Sequence, residues 1–106
     1  MHPVTRIEII VNSVGRTKVI EALKQGNVDS YYVIRDVVGK DREGRVSDDM
    51  DFVSGDLSDV YIISYCMADK VKSVVELIRL VLNKYGGACY LSDATEIRST
   101  RCVAKL

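Results

Sequence analysis

Two short stretches carry residue types suited to holding an anion. Arg42 and Arg45, separated by Glu43-Gly44, present guanidinium forks that match phosphate or carboxylate oxygens. Lys84-Tyr85-Gly86-Gly87 joins a cation and an aromatic ring to two glycines, whose backbone amides can form a concave donor set. Gly39 and Gly44 flank the first arginine and, lacking a Cβ, let main chain approach a ligand closely. Arg98 and Arg101 add cations near the end of the sequence. Each feature has an ordinary structural explanation, since Gly-Gly stops helices and charge runs solvate loops. Together they gather cations at loop ends of a chain whose 15 Lys+Arg balance 15 Asp+Glu.

Other chemistries find little support. His2, the only histidine, stands at a terminus expected to fray, so no Ser/His/Asp set can form in the folded body. A lone cysteine without histidine is a poor nucleophile, and the acidic residues concentrate in one polar stretch. The chain is therefore expected not to be an enzyme. Zero net charge argues against nucleic-acid or membrane-surface attraction, which needs basic excess. Val60-Tyr61-Ile62-Ile63-Ser64-Tyr65 lacks the glycines and basic residues of an RNA-recognition strand. Val11-Asn12-Ser13-Val14-Gly15-Arg16 lacks the paired cysteines of a metal chaperone. Cys66, Cys89 and Cys102 show no C-x-x-C pair, the pattern of reduced thiols in an intracellular protein. Cys66 and Cys89 read as apolar filler in strands, and Cys102 as exposed in a polar tail. Met1-His2-Pro3 leads into a strand rather than a signal peptide, and no apolar run approaches the roughly 18 residues of a membrane span. The expected compartment is the cytoplasm.

The elements that must position these residues follow from periodicity. At 106 residues there is room for one core. Ile7, Ile9 and Val11 alternate with polar neighbours over Thr5 to Asn12, a strand with at least one buried side. Asn12 or Ser13 can cap a helix running from Gly15 to about Gln25, with Val19, Ile20 and Leu23 on its apolar side. Gly26 is expected to end it in the left-handed conformation. Tyr31 to about Val38 is a β-branched and aromatic strand. Val60 to Cys66 is a third strand. A second helix runs from about Ala68 to Tyr85, with Val71, Val74, Val75, Ile78, Val81 and Leu82 at helical spacing. Gly86-Gly87 stop it, and Ala88 to Leu91 is a fourth strand. The order β-α-β-β-α-β predicts an α+β, ferredoxin-like domain: a four-stranded antiparallel sheet with two helices on one face. Apolar or aromatic residues occupy both parities of the strands, as at Ile9-Ile10, Tyr31-Tyr32 and Ile62-Ile63. A solvated face would not look so, and the uncovered face is expected to pack against other copies.

Residues 39–59 are mostly polar, and the stretch is far longer than the two to five residues a hairpin needs. Their basic start and acidic end bury too little apolar surface to fold alone. An anion paired with Arg42 and Arg45 would order the base of this insert and change the surface offered to a partner. Met50 and Phe52, set among Asp48, Asp49 and Asp51, fit an interaction motif. The insert reads as a switch.

Ser30-Tyr31-Tyr32-Val33, Arg42 and Arg45, Lys84-Tyr85, and Cys89-Tyr90-Leu91-Ser92-Asp93-Ala94-Thr95-Glu96-Ile97-Arg98 resemble the PII-like signalling proteins. The resemblance is to the branch tied to inorganic carbon, with the bicarbonate-transporter regulator SbtB and the carboxysome-associated PII proteins. It spans nearly the whole chain in element order. It implies a single PII-like domain over 1–106, assembled as a homotrimer with sheets facing inward and an adenine nucleotide in each cleft between subunits. The T-loop would be about 40–58, the B-loop about 84–87 and the C-terminal segment about 96–106. By that likeness Gly39, Arg42 and Arg45 hold phosphates from the T-loop, Lys84, Gly86 and Gly87 serve from the B-loop, Arg98 reaches in from the C-terminal side, and Tyr32 lines base or ribose. Bicarbonate would sit near Arg42 and Arg45. No catalytic cofactor and no metal are implied. Lys40 to Ser58 contains no tyrosine for the uridylylation of nitrogen-type members, and the B-loop is shortened. Fewer cations suit AMP, ADP or a cyclic nucleotide better than ATP. The implied target is a protein such as a bicarbonate transporter or a carboxysome component. The alternative is a divalent-metal-tolerance trimer of the CutA type, which would want cysteine or histidine ligands at its clefts.

Overall fold

The computed structural model describes residues 1–28, 30–40 and 59–98, and the backbone of residues 46–47. The elements are β1 (His2–Asn12), α1 (Ser13–Gln25), β2 (Ser30–Val37), β3 (Gly39–Lys40), β4 (Val46–Ser47), β5 (Asp59–Cys66), α2 (Val71–Tyr85) and β6 (Ala88–Glu96). A 3₁₀ turn over Ala68–Lys70 leads into α2. The main sheet has the order β2-β5-β1-β6 with every pair antiparallel, which is the ferredoxin-like arrangement expected.

β1 begins earlier than its apolar pattern, and β6 runs past Leu91 to Glu96. The ladder between them extends from Ile10↔Ala88 to His2↔Glu96. Backbone hydrogen bonds hold that extension and need no apolar side chains, so alternation could not reveal it. His2 is drawn into the sheet, its Nε2 lying 2.6 Å from Glu96 Oε1.

α1 starts where the Asn12 side chain accepts the Gly15 N–H at 2.9 Å, satisfying one of the unpaired donors of a first turn. Its end differs from expectation. Gly26 is right-handed at φ −78, and the left-handed residue is Asn27 at φ 56, a type whose short polar side chain tolerates it. The reason for glycine is packing: a Cβ at Gly26 would lie 2.6 Å from Val74 Cγ2 of α2. α2 ends as expected, with Gly86 at φ 82 and Gly87 at φ 120.

The core lies between helices and sheet. Ile7, Ile9 and Val11 of β1, Val60 and Ile62 of β5, Val19 and Leu23 of α1, and Val74 and Ile78 of α2 are fully buried, each worth roughly 1.5–3 kcal/mol of burial. Cys66 is buried there too, and Cys89 packs half-buried against it. The other sheet face carries Tyr32, Ile34, Tyr61, Ile63, Ile10 and Tyr90. Tyr32, Ile34 and Tyr90 are exposed in the single chain. On this face Tyr61 Oη donates to Glu8 Oε1 at 2.8 Å, and Arg6 Nη2 lies 2.8 Å from the same carboxylate oxygen. The hydrogen bond to Tyr61 raises the Arg6 pKa further above its already high ordinary value.

β2 is interrupted between Ile34 and Val37, where the register shifts and Asp36 takes φ 61. Such a bulge bends the strand, here just before the chain enters the polar insert. That insert opens as a two-stranded ribbon, Gly39↔Ser47 and Lys40↔Val46, rather than directly as a loop.

Candidate functional site

The end of the sheet where the ribbon leaves is hollow. A cavity of about 720 Å³ is bounded by Ile10, Val11 and Asn12 at the end of β1, by Val37 to Lys40, and by Gly87 to Leu91. Val75, Ile78, Arg79 and Leu82 of α2 form its remaining wall. Those four stand at i, i+3, i+4 and i+7, so one face of α2 presents them together. The volume lies within the usual range for a small-molecule site, about 300–1,000 Å³.

Gly87 closes one end because nothing larger fits. It takes φ +120, and a Cβ there would lie 2.4 Å from the Ile10 carbonyl oxygen. Asn12 braces the same corner. Besides capping α1, its Nδ2 donates to the Tyr85 carbonyl at 3.3 Å, tying the start of α1 to the end of α2. A Cβ on Gly15 would collide with Val11 Cγ2 at 2.6 Å, so the first turn of α1 needs a glycine there to sit this close.

The electrostatics are simple. Lys40 of β3 and Arg79 of α2 bring positive charge to the lining, and Asp59 is the only carboxylate among the described lining residues. The remaining walls are mostly apolar. Cys89 reaches the lining, but desolvation pushes its thiol up from the ordinary range, keeping it protonated and a weak nucleophile near neutrality. Among the described residues no group of three or more His, Cys, Asp or Glu could hold a metal ion. A mostly apolar pocket with two cations at its border suits an organic anion with an uncharged part.

A family model described as Nitrogen regulatory protein P-II matches residues 4–101. The chain belongs to the P-II family. This is the first of the two families that its motifs set against each other. No curated protein matches the sequence. Among solved structures it is similar to CPII, a nitrogen regulatory PII-like protein from Thiomonas intermedia K12 bound to ADP, AMP and bicarbonate. The TM-score is 0.80 at 18% identity, covering 92% of this chain and 91% of that one. It also superposes on the apo form of CPII, with TM-score 0.73, 17% identity and coverage of 92% and 96%. A putative PII-like signalling protein from Thermus thermophilus gives TM-score 0.75 at 13% identity, covering 94% and 95%. Identities this low establish the fold.

The residues that the sequence put forward for the P-II site fall in different places. Gly39 and Gly87 both line the cavity. Gly39 is not crowded, for a Cβ there would meet nothing within 4 Å. Gly86 is adjacent, but its N–H already donates to the Leu82 carbonyl at 2.8 Å, leaving that amide committed to the helix end. Lys84 sits in the last turn of α2 with its Nζ 5.4 Å from the Tyr85 ring centroid, outside the lining. Tyr32 is on the open sheet face, opposite Ile63, and does not line the cavity of its own chain. Arg98 follows the far end of β6, its Nε 3.0 Å from Glu96 Oε2. β6 carries it about 25–30 Å from Gly87 at roughly 3.4 Å per residue. Arg42 and Arg45 lie outside the described residues. Sequence reasoning missed Lys40 and Arg79. The available signal for Arg79 was a cation in the middle of the Val75, Ile78, Leu82 stripe, where apolar residues were otherwise regular.

No helix among the described residues is long and apolar enough to cross a membrane.

Proposed function

We propose that this P-II chain is a non-enzymatic sensor that binds an adenine nucleotide, AMP or ADP in preference to ATP, at the cavity beside Gly39 and Gly87. The carrying observation is that cavity's position: it opens where the polar insert departs, so a ligand there touches the base of the T-loop. Similar PII-like structures bound to ADP, AMP and bicarbonate support the ligand class, with bicarbonate as a second small anion near Arg42 and Arg45. Two cations at the border suit a short phosphate chain.

The site works between copies. Within one chain Arg98 follows the end of β6 away from Gly87, and Tyr32 stands on the open sheet face outside the cavity lining, so they join the cavity only from a neighbouring subunit. The open face, with Tyr32, Ile34 and Tyr90 exposed, supplies the surface for a homotrimer with sheets inward. Ligand binding then repositions the ribbon and the insert, and the altered T-loop engages a target such as a bicarbonate transporter or carboxysome component. The protein acts in the cytoplasm.

Isothermal titration of the purified chain with AMP, ADP, ATP and cyclic AMP, each with and without bicarbonate, tests this reading. Micromolar binding of AMP or ADP is expected. No heat with any adenine nucleotide, from a preparation whose mass by light scattering is that of a trimer, would refute nucleotide sensing. A monomeric mass would refute the shared site.

A further inference from the structure

α2 presents Val75, Ile78, Arg79 and Leu82 along one stripe to the cavity. Three are apolar, as an amphipathic helix requires on its inner side. The fourth is a guanidinium with five donors and no acceptor role. Its single ion pair among the described residues is with Glu76 at 3.7 Å, between side chains that are each 62% exposed, a contact of little energetic weight. Lys40, which lines the same cavity, has no ion pair among the described residues. Two cations from separate elements thus border one mostly apolar hollow, with Asp59 the only carboxylate among its described lining residues.

We propose that Arg79 and Lys40 form a clamp across the cavity that holds the phosphate of a nucleoside mono- or diphosphate, and that Arg79 sets the preference for nucleotide over bare nucleoside. This rests on the nucleotide reading above and assigns to it a residue from the middle of α2, away from the T-loop arginines and the B-loop. The half-buried apolar side chains of Val75 and Leu82 receive the uncharged part of the ligand, and the guanidinium fork takes phosphate oxygens in paired hydrogen bonds. Lys40 contributes a point charge from the first residues of the ribbon. Because Lys40 opens the insert, drawing it toward a phosphate links the ligand's charge to the ribbon's position.

The test compares AMP with adenosine by calorimetry on the full chain. Wild type should bind AMP more tightly than adenosine. Arg79→Gln should weaken AMP about tenfold or more, as expected for loss of a charged hydrogen-bond pair, and leave adenosine unchanged. Arg79→Lys should fall between, keeping charge without the fork, and Lys40→Gln should also lower AMP selectively. Lys72→Gln, exposed on the same helix and outside the cavity, should alter neither ligand. An Arg79→Gln chain that binds AMP as wild type does, or that loses AMP and adenosine alike, overturns the clamp. Wild type binding adenosine as tightly as AMP overturns the clamp while nucleotide sensing stands. Wild type binding neither overturns both.

Discussion

Replacing Gly87 by alanine puts a number on how tightly the cavity's end is built. The new Cβ would lie 2.4 Å from the Ile10 carbonyl oxygen and 3.1 Å from Leu82 Cδ2. The leucine methyl can rotate aside, but the carbonyl belongs to β1, which is hydrogen-bonded on both edges by β5 and β6. The backbone at φ +120 is also one that an L side chain adopts only at a cost of about 1–3 kcal/mol. Relief requires the start of β6 to retreat and weaken the Ile10↔Ala88 pair, a further loss of about 1 kcal/mol. The total, roughly 2–4 kcal/mol, is a large fraction of the 5–15 kcal/mol typical of a whole domain. Urea unfolding at fixed protomer concentration should show the midpoint fall by about 1–2 M at ordinary m-values. Gly39→Ala is the matched control, with nothing within 4 Å of its Cβ and no positive φ. It should stay within about 0.5 kcal/mol of wild type or gain slightly from the stiffer unfolded chain. A Gly87→Ala protein as stable as wild type, or a Gly39→Ala protein equally weakened, would refute the close-approach argument.

Two further outcomes follow from the same corner of the molecule. Asn12→Ala removes both the cap on Gly15 and the donation to Tyr85, and should cost about 1–2 kcal/mol in thermal unfolding. Asn12→Asp keeps the cap acceptor and should cost less; equal losses would show that the tie to Tyr85 carries the effect. For Cys89, burial raises the folded pKa, so the unfolded thiol ionises first. Its stabilising contribution is therefore complete below the unfolded value, about 8.5, and is lost as pH climbs through the raised folded value. Urea midpoints of wild type should drop more between pH 7 and 9.5 than those of Cys89→Ala, and parallel slopes would contradict the burial argument.

Much of the fold was legible because its signals are local. Ile7, Ile9 and Val11 alternate with period two, Val71, Val74 and Ile78 recur with the helical period, and Gly86-Gly87 stop a helix by backbone freedom. The same locality explains the misses. The outer halves of β1 and β6 are held by hydrogen bonds between distant segments, so Ser92 to Glu96 carried no strand pattern of their own. Gly26 was legible as a helix end, yet its reason, the approach of Val74, lies in another helix. The polar insert announced itself by composition, whereas the ribbon at its base is a pairing of Gly39-Lys40 with Val46-Ser47.

The site divides along the same line. Gly39 and Gly87 were put forward by the family resemblance and by the backbone freedom of glycine, and both line the cavity. Residue order alone determined the β-α-β-β-α-β plan, the two-sided apolar strands and the family resemblance, since each depends on spacing along the chain. Only the tertiary structure decided that Gly39 and Gly87 share a cavity, that Lys40 and Arg79 border it with Asn12 bracing its corner, and that Arg98 stands at the far end of the sheet. Those facts depend on strand register and on helix packing against the sheet, and both are set by contacts between residues far apart in sequence.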